Sequence, residues 1–107
     1  MALCWVKAGE CGQETTIAAH KIDMTHVAFD ITTTCEHIEA LAAALGAVDV
    51  GHEMSCRLDE TSVYKAAIEH VCRNSCVVPA AILKAMEVEA GLFLPGDAEI
   101  RFVEGML

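Results

Sequence analysis

Positive charge is scarce in this 107-residue chain: seven Lys and Arg stand against sixteen Asp and Glu, a formal net charge of −9. Nucleic-acid binding rests on clustered cations that neutralise phosphates, so seven scattered basic residues argue against that partner. Proline is scarce too, with two in the chain, while 54% of residues are hydrophobic and 21% charged. Those proportions exclude disordered and collagen-like classes and predict a packed fold. No apolar run approaches the roughly 18 residues needed to span a bilayer, so no membrane role is expected. The opening MALCWVKAGE has neither the basic start nor the sustained apolar stretch of an export signal. Also missing are G-x-S-x-G, H-E-x-x-H, a phosphate-cradling glycine loop and a dinucleotide fingerprint. A conventional enzyme is therefore not indicated.

What is present fits one compact core, and a single domain over residues 1–107 is expected at this length. The net negative charge keeps a rather apolar chain soluble. Six cysteines in an exported chain would read as three disulfides. Without an export signal the expected location is the reducing cytoplasm, where metal binding, redox chemistry or simple burial is the better account of them.

Residues 3–8 tolerate β structure until Gly9-Glu10-Cys11-Gly12 breaks them as a turn. Residues 15–21 resume a strand pattern and 22–25 connect. Residues 26–32 then alternate cleanly, with Val27, Phe29 and Ile31 on one face and Ala28, Asp30 and Thr32 on the other. Thr33 with Glu36 three residues on matches a capping box. It predicts a helix from about Thr34 or Cys35 to Leu45, ended by Gly46, with Ile38, Leu41, Ala42 and Leu45 as its apolar face. Residues 47–60 read as a loop. Thr61 or Ser62 caps a second helix to about Val71 or Cys72, presenting Val63, Ala67 and Val71. Pro79 at the first position and Gly91 just past the end bound a third, with Ile82, Leu83, Met86 and Ala90 inward. After the turn Pro95-Gly96-Asp97, residues 98–103 read as a last strand with Ile100 and Phe102 inward. The order predicts an α+β fold: a small antiparallel sheet of about four strands with three helices packed on one face.

Four cysteines fall at element boundaries, where side chains converge: Cys11, Cys35, Cys72 and Cys76. Cys35 and Cys76 sit near helix N-termini, whose free N–H groups favour a thiolate. Cys4 in a strand and Cys56 in the expected loop have no comparable reason to be ligands. Four thiolates hold an iron–sulfur cluster or zinc. Structural zinc usually takes two close pairs, whereas only Cys72 and Cys76 are paired here, at C-x3-C, which favours a cluster. Simple burial of free cysteines is the plain alternative, and a Cys72/Cys76 thiol redox pair is another. The four sulfurs are expected to lie together in one first shell, with Cys4 and Cys56 elsewhere. His37, two residues after Cys35, and His70, two before Cys72, could each complete a mixed site, although solvated helix positions are the simpler account. His20, His26 and His52 have no local partner in the sequence. Glu36/Glu39 and Glu87/Glu89 read as solvent-facing helix charges.

Two stretches carry a resemblance: Ala8-Gly9-Glu10-Cys11-Gly12 with Thr15-Thr16-Ile17, and the block from Cys72-Arg73-Asn74-Ser75-Cys76-Val77-Val78-Pro79 through Ala80-Ala81-Ile82-Leu83-Lys84-Ala85 to Ala90-Gly91-Leu92. Together they resemble a family of small uncharacterised prokaryotic proteins common in anaerobes, in which the position of Val77 is often proline. The resemblance implies that Cys11, Cys35, Cys72 and Cys76 matter, and supplies no activity. In layout the chain is also similar to the U-type iron–sulfur scaffold proteins. Those have a Cys-Gly turn, a strand pair, a cysteine opening a helix and a later cysteine before a final helix, as do Cys11-Gly12, Cys35 and Cys76. Gln13 stands where those scaffolds carry aspartate, no glycine follows Cys35, and their proline-lysine chaperone motif is absent. The resulting expectation is a small iron–sulfur carrier or electron-transfer protein acting with a protein partner, with structural zinc in a protein-interaction domain as the alternative; self-association is compatible with it.

Overall fold

The computed structural model describes residues 1–105. Three strands, β1 (Ala2–Lys7), β2 (Glu14–Lys21) and β3 (His26–Thr33), form an antiparallel meander, and the two-residue β4 (Val48–Asp49) pairs with β3 to complete the order β1-β2-β3-β4. The register sets Val6 opposite Thr15 and Thr15 opposite Thr33, then Cys4 opposite Ile17 and Ile17 opposite Ile31. Because side chains alternate along a strand, these residues share one face. Ile17, Ala19 and Val27 on the meander are wholly buried.

Four helices follow: α1 (Glu36–Ala44), α2 (Val50–Ser55), α3 (Ser62–His70) and α4 (Val78–Glu89). The last lies across β1 and β2, α1 lies on β3, and α3 packs against both α1 and α4. Leu41, Ile82 and Met86 bring the apolar stripes of α1 and α4 to the sheet, and Val63 turns that of α3 to those helices, all with no exposed surface. The expected α+β sandwich, with a four-stranded antiparallel sheet and three principal helices, is thus present. No helix among the described residues is long and apolar enough to cross a membrane.

The fourth strand is not where the sequence put it. Residues 98–103 form no strand, and Ile100 and Phe102 are 76% and 96% exposed rather than inward. The place in the sheet belongs to Val48, which is buried opposite Val27. Alternation reports a period but names no partner, and β3 is satisfied by the nearer segment. The stretch 47–60 is correspondingly not a loop. Asp49 caps α2 by accepting from the His52 N–H at 3.1 Å, and Leu58–Glu60 form a 3-10 turn; polar composition hid both.

Local ends also differ. Thr33 is the last residue of β3, and the α1 N-cap is Cys35, so the expected capping box does not form. α4 begins at Val78 with Pro79 second, and ends with Gly91 at φ 77°. There the Gly91 N–H bonds Val88 O and the Leu92 N–H bonds Glu87 O, a Schellman closure. The connection of β2 to β3 is held by Asp23, whose Oδ1 accepts from the N–H groups of Thr25 and His26, each at 2.8 Å. Those bonds, led by that of Thr25, hold its carboxyl down to about 2. Three histidines without a partner in the sequence find one in space: His26 meets Asp23, His52 meets the Glu60 carbonyl at 3.1 Å, and His20 stands 3.9 Å from Asp30. Glu89 does not face solvent freely, since it accepts from the Lys21 N–H at 3.0 Å and meets the Met1 amino group at 3.3 Å.

The buried acid Glu53, 6% exposed, accepts from the Ser62 N–H at 2.7 Å and faces that of Val63, so it satisfies two donors at the start of α3. Glu53→Ala leaves those donors orphaned in a buried setting. It should lower unfolding stability by about 1–3 kcal/mol, read by urea denaturation, while the exposed Glu36→Ala should change it by under about 0.5 kcal/mol.

Candidate functional site

The site begins at a corner. β1 and β2 are joined by a 3-10 turn, Gly9–Cys11, that Gly12 closes in the left-handed conformation with its N–H on Gly9 O at 2.9 Å. A side chain other than glycine is strained there. The turn holds Cys11 at the hairpin tip, exposed. Beside it β3 runs into α1 through Thr33, Thr34 and Cys35. The Thr33 hydroxyl meets that of Thr15 at 2.8 Å and accepts from the Cys35 N–H at 3.1 Å. The Thr34 hydroxyl donates to Gln13 Oε1 at 2.7 Å and stands 3.0 Å from the Glu14 N–H, while its own N–H bonds Glu14 O at 3.1 Å. This set ties the tip that carries Cys11 to the joint that carries Cys35.

From the other side come Cys72 and Cys76. α3 stops at His70, so this pair is not on a helix as i and i+4 neighbours; the two flank a turn in which the Cys76 N–H bonds Arg73 O at 3.2 Å. Val78 and Pro79, buried against the core, fix where α4 starts and hence where Cys76 lies.

Cys11, Cys35, Cys72 and Cys76 all line one open cleft of about 240 Å³. Thr15, Ile38, Val71 and Val78 are among its other walls, together with His37, Glu10 and Arg73. Cys35 and Cys76 are half-buried, whereas Cys11 and Cys72 are exposed. Cys4, Cys56 and His70 do not line it. Among the described residues, however, no three Cys, His, Asp or Glu side chains stand close enough together to hold a metal ion. The four sulfurs ring the cleft without closing into one first shell.

Burial pushes the Cys76 thiol above its ordinary 9.0, and the neighbouring thiols of Cys35, Cys72 and Cys11 push it the same way, against the Val78 N–H that faces its sulfur. The helix start that was expected to prime Cys76 as a thiolate is therefore outweighed by desolvation and like charge. Thiolates so placed repel, and a cation among them would reverse that repulsion. The donor set is soft sulfur with one imidazole at hand, which suits zinc or an iron–sulfur cluster. Sequence reasoning found the four thiols but missed Gln13, Thr15, Thr33 and Thr34, which position two of them; the Thr33-Thr34 pair beside a cysteine was the available signal.

Compared with known proteins, residues 3–102 match a family model described as a family of unknown function, DUF6951. No curated protein and no solved structure matches.

The state of Cys76 can be measured. Its proton is held more tightly in the folded chain than in the unfolded one, so the associated stability is complete below pH 9.0 and lost as pH rises through the raised value. In reduced, metal-free protein, alkylation followed by mass spectrometry should label Cys11 and Cys72 first. Cys76 should react slowly near neutral pH and accelerate only on the alkaline side.

Proposed function

We propose, for a chain that belongs to the family of unknown function DUF6951, that it binds an iron–sulfur cluster through Cys11, Cys35, Cys72 and Cys76 in the reducing interior of the cell and serves a protein partner as a carrier or electron-transfer module. The observation that carries this reading is the convergence of four of the six cysteines, from three separate connections, on one cleft. Burial alone gives no reason for thiols on the hairpin tip, the strand-to-helix joint and the interhelical turn to meet. All six cysteines are unpaired, as a reducing compartment requires. A reactive-thiolate role for Cys76 is disfavoured by its raised pKa. Bound at this cleft, a cluster would supply electron storage; Cys35 at the N-cap of α1, Cys76 just before α4, and Cys11 and Cys72 on their turns would hold it, and the Val78 N–H would donate to the Cys76 sulfur.

Zinc is the competing occupant, and colour separates the two, because thiolate-bound zinc does not absorb visible light. Protein purified without oxygen should absorb in the visible and contain iron and acid-labile sulfide. Cys35→Ser should lose nearly all of both, and Cys4→Ser should keep the content of the unaltered chain. Colourless protein with one equivalent of zinc would move the reading to a structural zinc site, and metal-free protein in every preparation would end it.

A further inference from the structure

Among the described residues, two surfaces of this fold are left without a partner, and their forms are complementary. One is the outer edge of β1. It is terminal in the sheet, so one side of Ala2–Lys7 faces no strand. It has no proline, and its single charge, Lys7, stands at its end; an edge so unprotected is a template for pairing. On its outer face Leu3 and Trp5 are 69% and 64% exposed.

The other surface is the segment after α4. Residues 92–103 contain no helix or strand, yet Phe93, Leu94, Ile100 and Phe102 are all exposed. Ile100 and Phe102 alternate with Glu99 and Arg101 as strand residues do. This segment starts at the end of the sheet, where Ala90 and Leu92 share a cleft with Met24, His26 and Val50, and passes near β1 further on. The Glu89 contact to the Met1 amino group sets the end of α4 beside the start of β1, and Asp97 comes near enough to Cys4 to add to the rise that burial imposes on that thiol.

We propose that a second copy of this chain is the partner: the free β1 edge of each copy receives residues 98–103 of the other, with Ile100 and Phe102 set beside Leu3 and Trp5. Both halves of the interface are carried by one chain, so two copies satisfy both surfaces and the assembly closes on a twofold axis. Charge agrees at the ends, since Glu99 and Arg101 pair and cancel within residues 98–103 and the acids Asp97 and Glu104 flank them, while the one charged side chain of β1 is Lys7. Direction agrees as well. A twofold axis perpendicular to β1 would set the segment of one copy antiparallel to β1 of the other, the better pairing. The inference does not depend on the cysteine site.

Trp5 is the only tryptophan and lies inside the proposed contact, so it reports directly. The full chain, reduced and metal-free, is followed from low-micromolar to sub-millimolar concentration by light scattering for mass and by tryptophan emission. The mass should double and the emission shift to shorter wavelength over the same range. The Ile100→Glu, Phe102→Glu double variant should stay at monomer mass with solvent-exposed emission throughout and an unchanged far-ultraviolet circular dichroism spectrum. Monomer mass at every concentration overturns the proposal. So does a blue shift without a change of mass, which would mean that the segment covers its own Trp5, and so does a dimer that survives the double substitution.

Discussion

Everything in the candidate site leans on the hydroxyl contacts that bind the start of β2 to the end of β3. Thr15 and Thr33 face each other across the sheet, and Thr34 reaches back to Gln13 and Glu14. An inward-facing polar pair in an apolar sheet is costly unless each hydroxyl finds a partner; here they satisfy one another, and the surplus capacity of Thr33 is spent on the Cys35 N–H. The same bonds lock the register that sets Ile17 opposite Ile31. One small network thus fixes both the inner face of the sheet and the distance between the hairpin tip and the first turn of α1. A valine at either threonine would keep the shape of the strand and lose that coupling.

The fold was legible where a local signal and a tertiary partner coincided. The alternation of Val27, Phe29 and Ile31, the Thr61 cap of α3 and the Pro79 and Gly91 bounds of α4 each name an element that exists within a residue or two. What failed was pairing. Nothing in the alternation of residues 98–103 says whether a strand lies beside them in the same chain, and nothing in the polar run 47–60 announces that Val48 will be buried on β3 or that Glu53 will cap a helix nine residues away. The cysteines were legible by their position at boundaries, a topological property that survives errors in the elements themselves. Their protonation was not, because desolvation and neighbouring thiols act through space.

The cleft combines two kinds of support. Cys35 is the N-cap of α1 and Cys76 stands just before α4, two helices packed into the core by Ile38, Leu41, Val78 and Ile82. Cys11 and Cys72 stand on turns secured by one or two backbone bonds. The four thiols are thus carried by connections of unequal support, which is where a preorganised site is gained or lost. Arg73 and Glu10 at the rim bring opposite charges to its mouth, so the charge that a visiting molecule meets there is mixed even though the chain as a whole is acidic.

The path of α4 also sets a sequence of events. The meander is built from neighbours in the chain, and contacts of short separation form early. The half of the cleft made by Cys11 and Cys35 is carried within residues 1–44, whose inner face stays uncovered until α4 is added. Cys76 arrives only with the helix that must travel back over β1 and β2, the strands made first. Synthesis from the N-terminus consequently presents an open pair of thiols before it presents four, and assembly of the complete cleft coincides with closure of the core.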